Sequence, residues 1–279
     1  MINWSSSLSC WKTDKFMKTL GIDIGSLNIK AIVLGDDGIL GTGIGPPGDD
    51  VEVGARSMLE LVTSQAGLNL DSLPLLATGV GAKLVSFAPQ RKAITTCLAR
   101  GIRHLYPSVR LAIDMGAEST TVIKMNERGR LADWANHDKC ASGTGLFLQQ
   151  MAKLMGLPLD EMAGLSLQAK GRASITSTCA VFAESEVISH VHRDPPTPKE
   201  DIIAGIYYSV VSRIMSMCKR VGIEKEVVVT GGVALNDGLV SILEEELGFK
   251  VLRPKEPQTV AALGAAIIAG ENPEKGIRK

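Results

Sequence analysis

From residue 20 onward the chain breaks into short apolar runs punctuated by glycine, a pattern that points to strands packed in a sheet. Runs at 20–24, 29–34 and 38–44 predict three meandering strands, with Asp36-Asp37-Gly38 as the tight turn between the last two. A helical period covers 51–66 and stops at Gly67; a strand at 73–77 and a helix at 90–103 follow. The same order then begins again, with strands at 110–114, 119–124 and 129–134 and a turn at Glu127-Arg128-Gly129. Helices are predicted at 143–155, 180–190 and 197–221. The last has Thr197 as N-cap, Pro198 at the first helical position, Glu200 closing a capping box and Gly222 as its stop. A strand at 226–230, a helix at 235–247, a strand at 250–253 and an Ala-rich helix at 257–269 complete the pattern.

The second round repeats the first in detail. Residues 20–26, LGIDIGS, and 111–117, LAIDMGA, each give an apolar strand ending in Asp, one apolar residue and Gly. Two similar α/β lobes across a cleft are therefore expected, one at 19–109 and one at 110–256. A closing helix and tail would follow at 257–279, and 1–18 reads as a disordered tail, polar and Ser-rich, with Met17 as a plausible start.

The duplicated turn carries the candidate chemistry. Glycine lets backbone N–H groups approach phosphate oxygens, a hydroxyl such as Ser26 can join them, and Asp23 and Asp114 beside the turns suit a hydrated Mg²⁺. A single Asp-x-Gly is usually just a turn; two in register argue for a phosphate clamp. Lys30 lies near the first turn and can reach a phosphate, against the plainer reading of a solvated strand lysine. The glycine pair of VVVTGGVALN (227–236) follows a buried strand and suits a flat adenine or ribose, or simply a tight strand-to-helix connection.

Charge and cysteine content narrow the classes. Thirty basic residues balance thirty acidic ones in 279, so no global field draws nucleic acid or anionic lipid. The longest apolar stretch, 260–269, is too short to span a bilayer, and the N-terminus lacks signal-peptide order, so a cytoplasmic protein is expected. Five cysteines do not form a disulfide framework. Cys140 and Cys179 each precede a predicted helix, where N–H groups favour a thiolate; the plainer alternative is two inert thiols. Two ligands per chain cannot complete a four-thiolate site, whereas a two-fold dimer can. Glu184 and Glu186 divide between orienting a ligand and favouring the helix dipole. His137, His190 and His192 have no metal-like spacing.

GIDIGS, IDMGAES, VVVTGGVALN and PQTVAALGAA resemble the two phosphate motifs, the adenosine motif and the closing helix of the acetate and sugar kinase, heat-shock chaperone and actin superfamily. KCASGTG and STCAVFAESEVIS, with DIIAGI and TGGVALN, resemble the activator (component A) of 2-hydroxyacyl-CoA dehydratases and the ATPase subunits of benzoyl-CoA reductase, over essentially 20–269. The resemblance implies two actin-like (ribonuclease H-like) lobes with a nucleotide cleft, ATP/ADP and Mg²⁺ in it, and one 4Fe-4S cluster per dimer on Cys140 and Cys179. It implies an ATPase that delivers single low-potential electrons, with a homodimer or paralogous subunit, an acyl-CoA dehydratase or reductase component and a ferredoxin- or flavodoxin-type donor as partners. On this basis Asp23, Asp114 and Glu118 are the candidate catalytic residues. Gly25, Ser26, Lys30, Gly116, Gly231, Gly232 and Asn236 are the candidate nucleotide contacts. The chain departs from the family pattern at Ala117-Glu118-Ser119, where Gly-Gln-Asp is typical, and at Leu27, where a hydroxyl residue is frequent. Two alternatives stand beside this reading: a small-molecule kinase of the same superfamily, and a nucleotide-binding subunit that does not hydrolyse ATP.

Overall fold

The computed structural model describes residues 17–137 and 145–271. The expected tail before residue 17, the end of the closing segment after 271, and Cys140 lie outside them.

The chain forms two sheets. The first holds β1 (Thr19–Ile24), β2 (Ile29–Gly35), β3 (Gly38–Gly45), β4 (Leu75–Thr78) and β5 (Gln90–Arg91), in the order β3-β2-β1-β4-β5. The second holds β6 (Leu111–Met115), β7 (Thr120–Met125), β8 (Leu131–His137) and β9 (Val227–Thr230), in the order β8-β7-β6-β9. Each is an antiparallel meander extended by a parallel neighbour on its first strand, β4 beside β1 and β9 beside β6. The helices are α1 (Val51–Gln65), α2 (Ile94–Leu105), α3 (Gly145–Met155), α4 (Leu159–Ser166), α5 (Ala180–Val191), α6 (Lys199–Val221), α7 (Asp237–Leu247) and α8 (Val260–Glu271).

Alternation along the strands sorts the faces. Leu20, Ile22 and Ile24 turn toward Met58, Leu59 and Val62 of α1, while Ile32 and Leu34 meet Ala262, Leu263 and Ala266 of α8. In the second sheet Leu111 and Ile113 join the large core built on α3 to α7, whereas Ala112, Ile123 and Val228 meet Leu98 and Ile102 of α2 and Val260 of α8. The α2–α8 pair therefore lies between the sheets. Buried from Val260 to Ala269, α8 is apolar all round, as a helix with no solvent face must be. Gly21, Gly101 and Gly264 make the contact possible, since a β-carbon on Gly264 would overlap the Cys97 carbonyl oxygen and one on Gly21 the Ala262 carbonyl.

The expected elements are present with several departures, and the closing helix expected from 257 starts at Val260. The helix foreseen from residue 90 starts at Ile94, because Gln90 and Arg91 pair with Leu76 and Ala77 and the Arg91 guanidinium donates to the Ala82 and Val85 carbonyls. The capping box on α6 does not form. Pro198 is extended at the N-cap, no side chain caps the helix, and the Thr197 hydroxyl is hydrogen-bonded to His190 Nδ1 at 2.9 Å. The strand foreseen at 250–253 reduces to one bridge between Leu252 and Val228, cut short by Pro254. The helix foreseen from 235 begins at Asp237, after a 3₁₀ turn at Gly232–Leu235. Helix α4 was not foreseen, although Pro158 followed by Asp160 and Glu161 is a helix-start signal. Among the described residues no helix is long and apolar enough to cross a membrane.

Close packing of α8 makes a quantitative expectation. Gly264→Val should lower stability by about 3 kcal/mol or more, since the added carbons meet backbone that cannot yield. Gly164→Ala, within α4 and with open space around it, should raise stability by about 0.5–1 kcal/mol. Urea midpoints of the two variants check both; a Gly264→Val midpoint equal to that of the parent would refute the tight α2–α8 contact.

Candidate functional site

Both Asp-x-Gly segments end the first strand of their meander and turn in the same way. Gly25 N–H donates to the Asn28 carbonyl at 3.1 Å, and Gly116 N–H donates to the Ser119 carbonyl at 2.9 Å. Parallel pairing then sets a buried threonine beside each aspartate: Asp23 opposite Thr78, and Asp114 opposite Thr230. A left-handed glycine follows each threonine, Gly79 at φ 92° and Gly231 at φ 86°, and each opens a 3₁₀ turn. Glycine is required twice over at these positions. A β-carbon on Gly79 would overlap Asp23 Oδ1, and one on Gly231 would overlap the Met115 carbonyl. The repeat thus extends to residues 75–83 and 227–235, a correspondence legible as LLATGVGAK beside VVVTGGVAL that the motifs alone did not bring out.

These four segments open onto one cavity of about 1060 Å³. Asp23, Gly25, Ser26, Lys30, Asp114, Gly116, Glu118, Gly231, Gly232 and Asn236 all line it, so every candidate outside the cysteines meets at one place. Further wall comes from Leu148 and Gln149 of α3 and from Leu159, Asp160 and Ala163 of α4, apolar and polar groups that no motif announced.

The electrostatics of the two halves differ. Asp23 is 4% exposed; its Oδ2 is 3.1 Å from Lys30 Nζ, and its Oδ1 is buried without a partner. Burial pushes its carboxyl above the ordinary value, and the Lys30 ammonium opposes that. Lys30 is therefore an ion-paired lysine in the cleft, not a solvated strand residue. Asp114 Oδ1 accepts from the Thr230 hydroxyl at 2.7 Å. Burial pushes its carboxyl up to about 6; the Thr230 bond lowers it and the charge of Asp23 raises it. Glu118 sits exposed on the second turn. An orphaned carboxylate oxygen and a second disfavoured carboxylate are the setting that a divalent cation and its water shell relieve, so this donor set fits Mg²⁺. Asn236 holds the cavity wall through structure. Its Oδ1 caps α7 by accepting from Leu239 N at 2.9 Å, and its Nδ2 donates to the Tyr207 hydroxyl at 2.8 Å.

Cys179 is the half-buried N-cap of α5, and its side chain makes no capping hydrogen bond. Beyond it Val181 and Phe182 are exposed. Neither Glu184 nor Glu186 lies in the first turn of α5, so the dipole reading fails, and Glu186 accepts from Thr176 N at 2.5 Å, tying α5 to the segment before it. Cys97 and Cys218 are buried, and burial pushes both thiols up to about 12, in keeping with inert roles. Among the described residues no three His, Cys, Asp or Glu side chains converge as a metal site. A part-exposed thiol at a helix start still fits one ligand of a cluster completed from elsewhere.

Comparison with known proteins agrees with this geometry. The activator of lactoyl-CoA dehydratase from Anaerotignum propionicum is 40% identical over 265 residues, covering 93% of this chain and 100% of that protein. One of the subunits of benzoyl-CoA reductase from Thauera aromatica is 32% identical over 269 residues, covering 92% and 94%. The solved structure of the activator of the 2-hydroxyisocaproyl-CoA dehydratase from Clostridium difficile, with bound ADPNP, superposes with a TM-score of 0.84 at 36% identity, covering 93% and 96%. The two-sheet architecture with its cleft is the actin-like ATPase fold. Residues 20–269, which include both turns, both threonine–glycine elements and Cys179, match one family model, and the chain belongs to the BadF/BadG/BcrA/BcrD ATPase family.

Proposed function

We propose that the chain is an ATP-hydrolysing activator that supplies single low-potential electrons to an acyl-CoA dehydratase or reductase component. The observation that carries the nucleotide half is the convergence of two matched Asp-x-Gly turns, one with an orphaned carboxylate oxygen, on one cavity. Backbone N–H groups of the turns and the Ser26 hydroxyl hold phosphate oxygens, and Lys30 adds a positive charge beside them. Asp23 and Asp114 would hold a hydrated Mg²⁺ that polarises the phosphates, and Glu118 would align the attacking water. The base would stack on the Gly231–Gly232 backbone, with Leu159 and Ala163 lining the same cavity.

The electron-transfer half rests on the chemistry of Cys179 and on the relatives, which are named for activation of acyl-CoA dehydratases. Cys140 and Cys179 would hold a 4Fe-4S cluster, with a second copy of the chain supplying the other two thiolates. Such a cluster supplies reversible one-electron chemistry. A ferredoxin- or flavodoxin-type protein would reload it. The turn sequence Ala117-Glu118-Ser119 favours one further reading, a subunit of a heteromeric benzoyl-CoA-type reductase in which a paralogue completes the cluster.

Asp114→Asn tests the cation role. It removes a charge that burial disfavours and keeps an acceptor for Thr230, so ligand-free stability at neutral pH should rise by about 1–2 kcal/mol, one pKa unit being about 1.4 kcal/mol and the group only half-buried. The displacement is upward, so the gain is absent below the ordinary value of 3.8 and complete above about 6. Mg²⁺-dependent nucleotide binding should weaken at the same time. Thermal melts with and without Mg·ATP read both effects, and undiminished Mg²⁺-dependent stabilisation would remove Asp114 from the cation site.

Cys179→Ser and Cys140→Ser test the cluster. Anaerobically purified parent should carry about four irons per dimer with a brown chromophore bleached by dithionite. Each variant should lose the iron while Cys179→Ser keeps its circular dichroism, since serine is a favourable N-cap. Full iron retained in both variants would sink the assignment, and colourless parent protein that binds ATP would turn it toward a kinase.

A further inference from the structure

The first amides of an α-helix have no partner inside the helix and must find acceptors elsewhere. In α3 those acceptors belong to the second phosphate turn. Gly145 N–H donates to the Gly116 carbonyl at 3.0 Å, and Leu146 N–H donates to the Ala117 carbonyl at 2.9 Å. The contact is tight as well as hydrogen-bonded: a β-carbon on Gly145 would sit 3.2 Å from both the Gly116 carbonyl oxygen and Val233 Cγ2. Val233 belongs to the 3₁₀ turn after the Gly231–Gly232 pair. The start of α3 is thus held against two elements that face the nucleotide cavity.

The other side of α3 leads to Cys179. Phe147, Leu148 and Met151 share a core with Ala183 and Val187, and these two are the only fully buried side chains of α5. With so small a buried face, α5 takes its orientation from few contacts. Its far half is tied by Glu186 to Thr176 N and by His190 to the Thr197 hydroxyl and the Ser174 carbonyl, and α5 packs against both α3 and α6.

We infer that α3 is the element that carries nucleotide state from the second phosphate turn to the helix bearing Cys179, with Gly145 as its positioning residue. The inference rests on the proposed roles of the turn and of Cys179. A turn that tightens on a γ-phosphate draws the first turn of α3 through two backbone hydrogen bonds. Close-packed side chains then pass the displacement to α5, because a packed core shifts as a unit instead of deforming locally. The changed residues Ala117 and Glu118 lie at the input of this route.

Amide hydrogen exchange on the full chain tests it, with saturating Mg·ADP in one sample and a saturating non-hydrolysable ATP analogue in the other. Exchange in the first turns of α3 and α5 should differ about fivefold or more between the two states, the lower range of ordinary coupling free energies. Gly145→Pro removes one of the two donors and crowds the Gly116 carbonyl and Val233, so the nucleotide-dependent difference at α5 should shrink while the turn at Gly25–Asn28 still responds. A parent protein in which that turn responds and α5 does not overturns the inference without recourse to the variant. So does a Gly145→Pro protein whose α5 follows the nucleotide as fully as the parent's. Iron and sulfide counts on the same samples report separately on the cluster, so a failed coupling and a failed cluster assignment give different results.

Discussion

Two carboxylates at the ends of inner strands of the two sheets, facing one cavity, cannot both be ionised in partial burial at low cost. The charge of Asp23 raises the proton affinity of Asp114 on top of the penalty of leaving water. A folded chain tolerates such a pair only if something else compensates. Lys30 compensates on one side and the Thr230 hydroxyl on the other, and both fall short: one oxygen of Asp23 stays unpaired and the Asp114 carboxyl remains at about 6. The residual cost is one that a bound cation would lower.

The rest of the fold serves the placement of that pair. Parallel pairing of β1 with β4 and of β6 with β9 puts each aspartate level with a threonine, and the left-handed glycine after the threonine lets the next 3₁₀ turn fold against the Asp-x-Gly loop. The α2–α8 pair sets the spacing between the sheets, and its glycine contacts leave little slack. Rigidity there and sparse packing around α5 divide the molecule into a firm frame and a lightly held helix.

Much of this was legible in the sequence because it is periodic or local. The repeated Asp-x-Gly after an apolar strand requires only a strand period and a turn, and both sheets follow from it. The candidates drawn from those motifs reach one cavity because the duplication itself brings the strand ends together. What escaped has non-local causes. Gln90 and Arg91 extend the sheet because Arg91 finds the Ala82 and Val85 carbonyls, a partnership invisible to a helical period. Thr197 fails as a cap because His190, seven residues earlier, takes its hydroxyl. Leu148, Leu159 and Ala163 reach the cavity only through the docking of α3 and α4, and the bond from Gly145 to Gly116 spans a sequence gap that no motif covers.

The two halves of the repeat have diverged where the chemistry would demand it. At the position that pairs across the hairpin with each aspartate, the first half carries Lys30 and the second Thr121. The matching threonines also differ: Thr78 donates to the Lys92 carbonyl and leaves Asp23 alone, while Thr230 donates to Asp114. A lysine beside both carboxylates would neutralise the pair and leave little for a cation to gain. A lysine beside neither would leave two uncompensated charges and a less stable fold. One lysine and one hydroxyl give a site close to balance that still favours a further positive charge. The departure at Ala117-Glu118-Ser119 keeps one acid on the second turn but places it at Glu118, exposed on the rim, on the side where α3 is anchored. Charge asymmetry and mechanical anchoring thus fall on the same turn, so a change in bound phosphate would be felt most where it can be passed on.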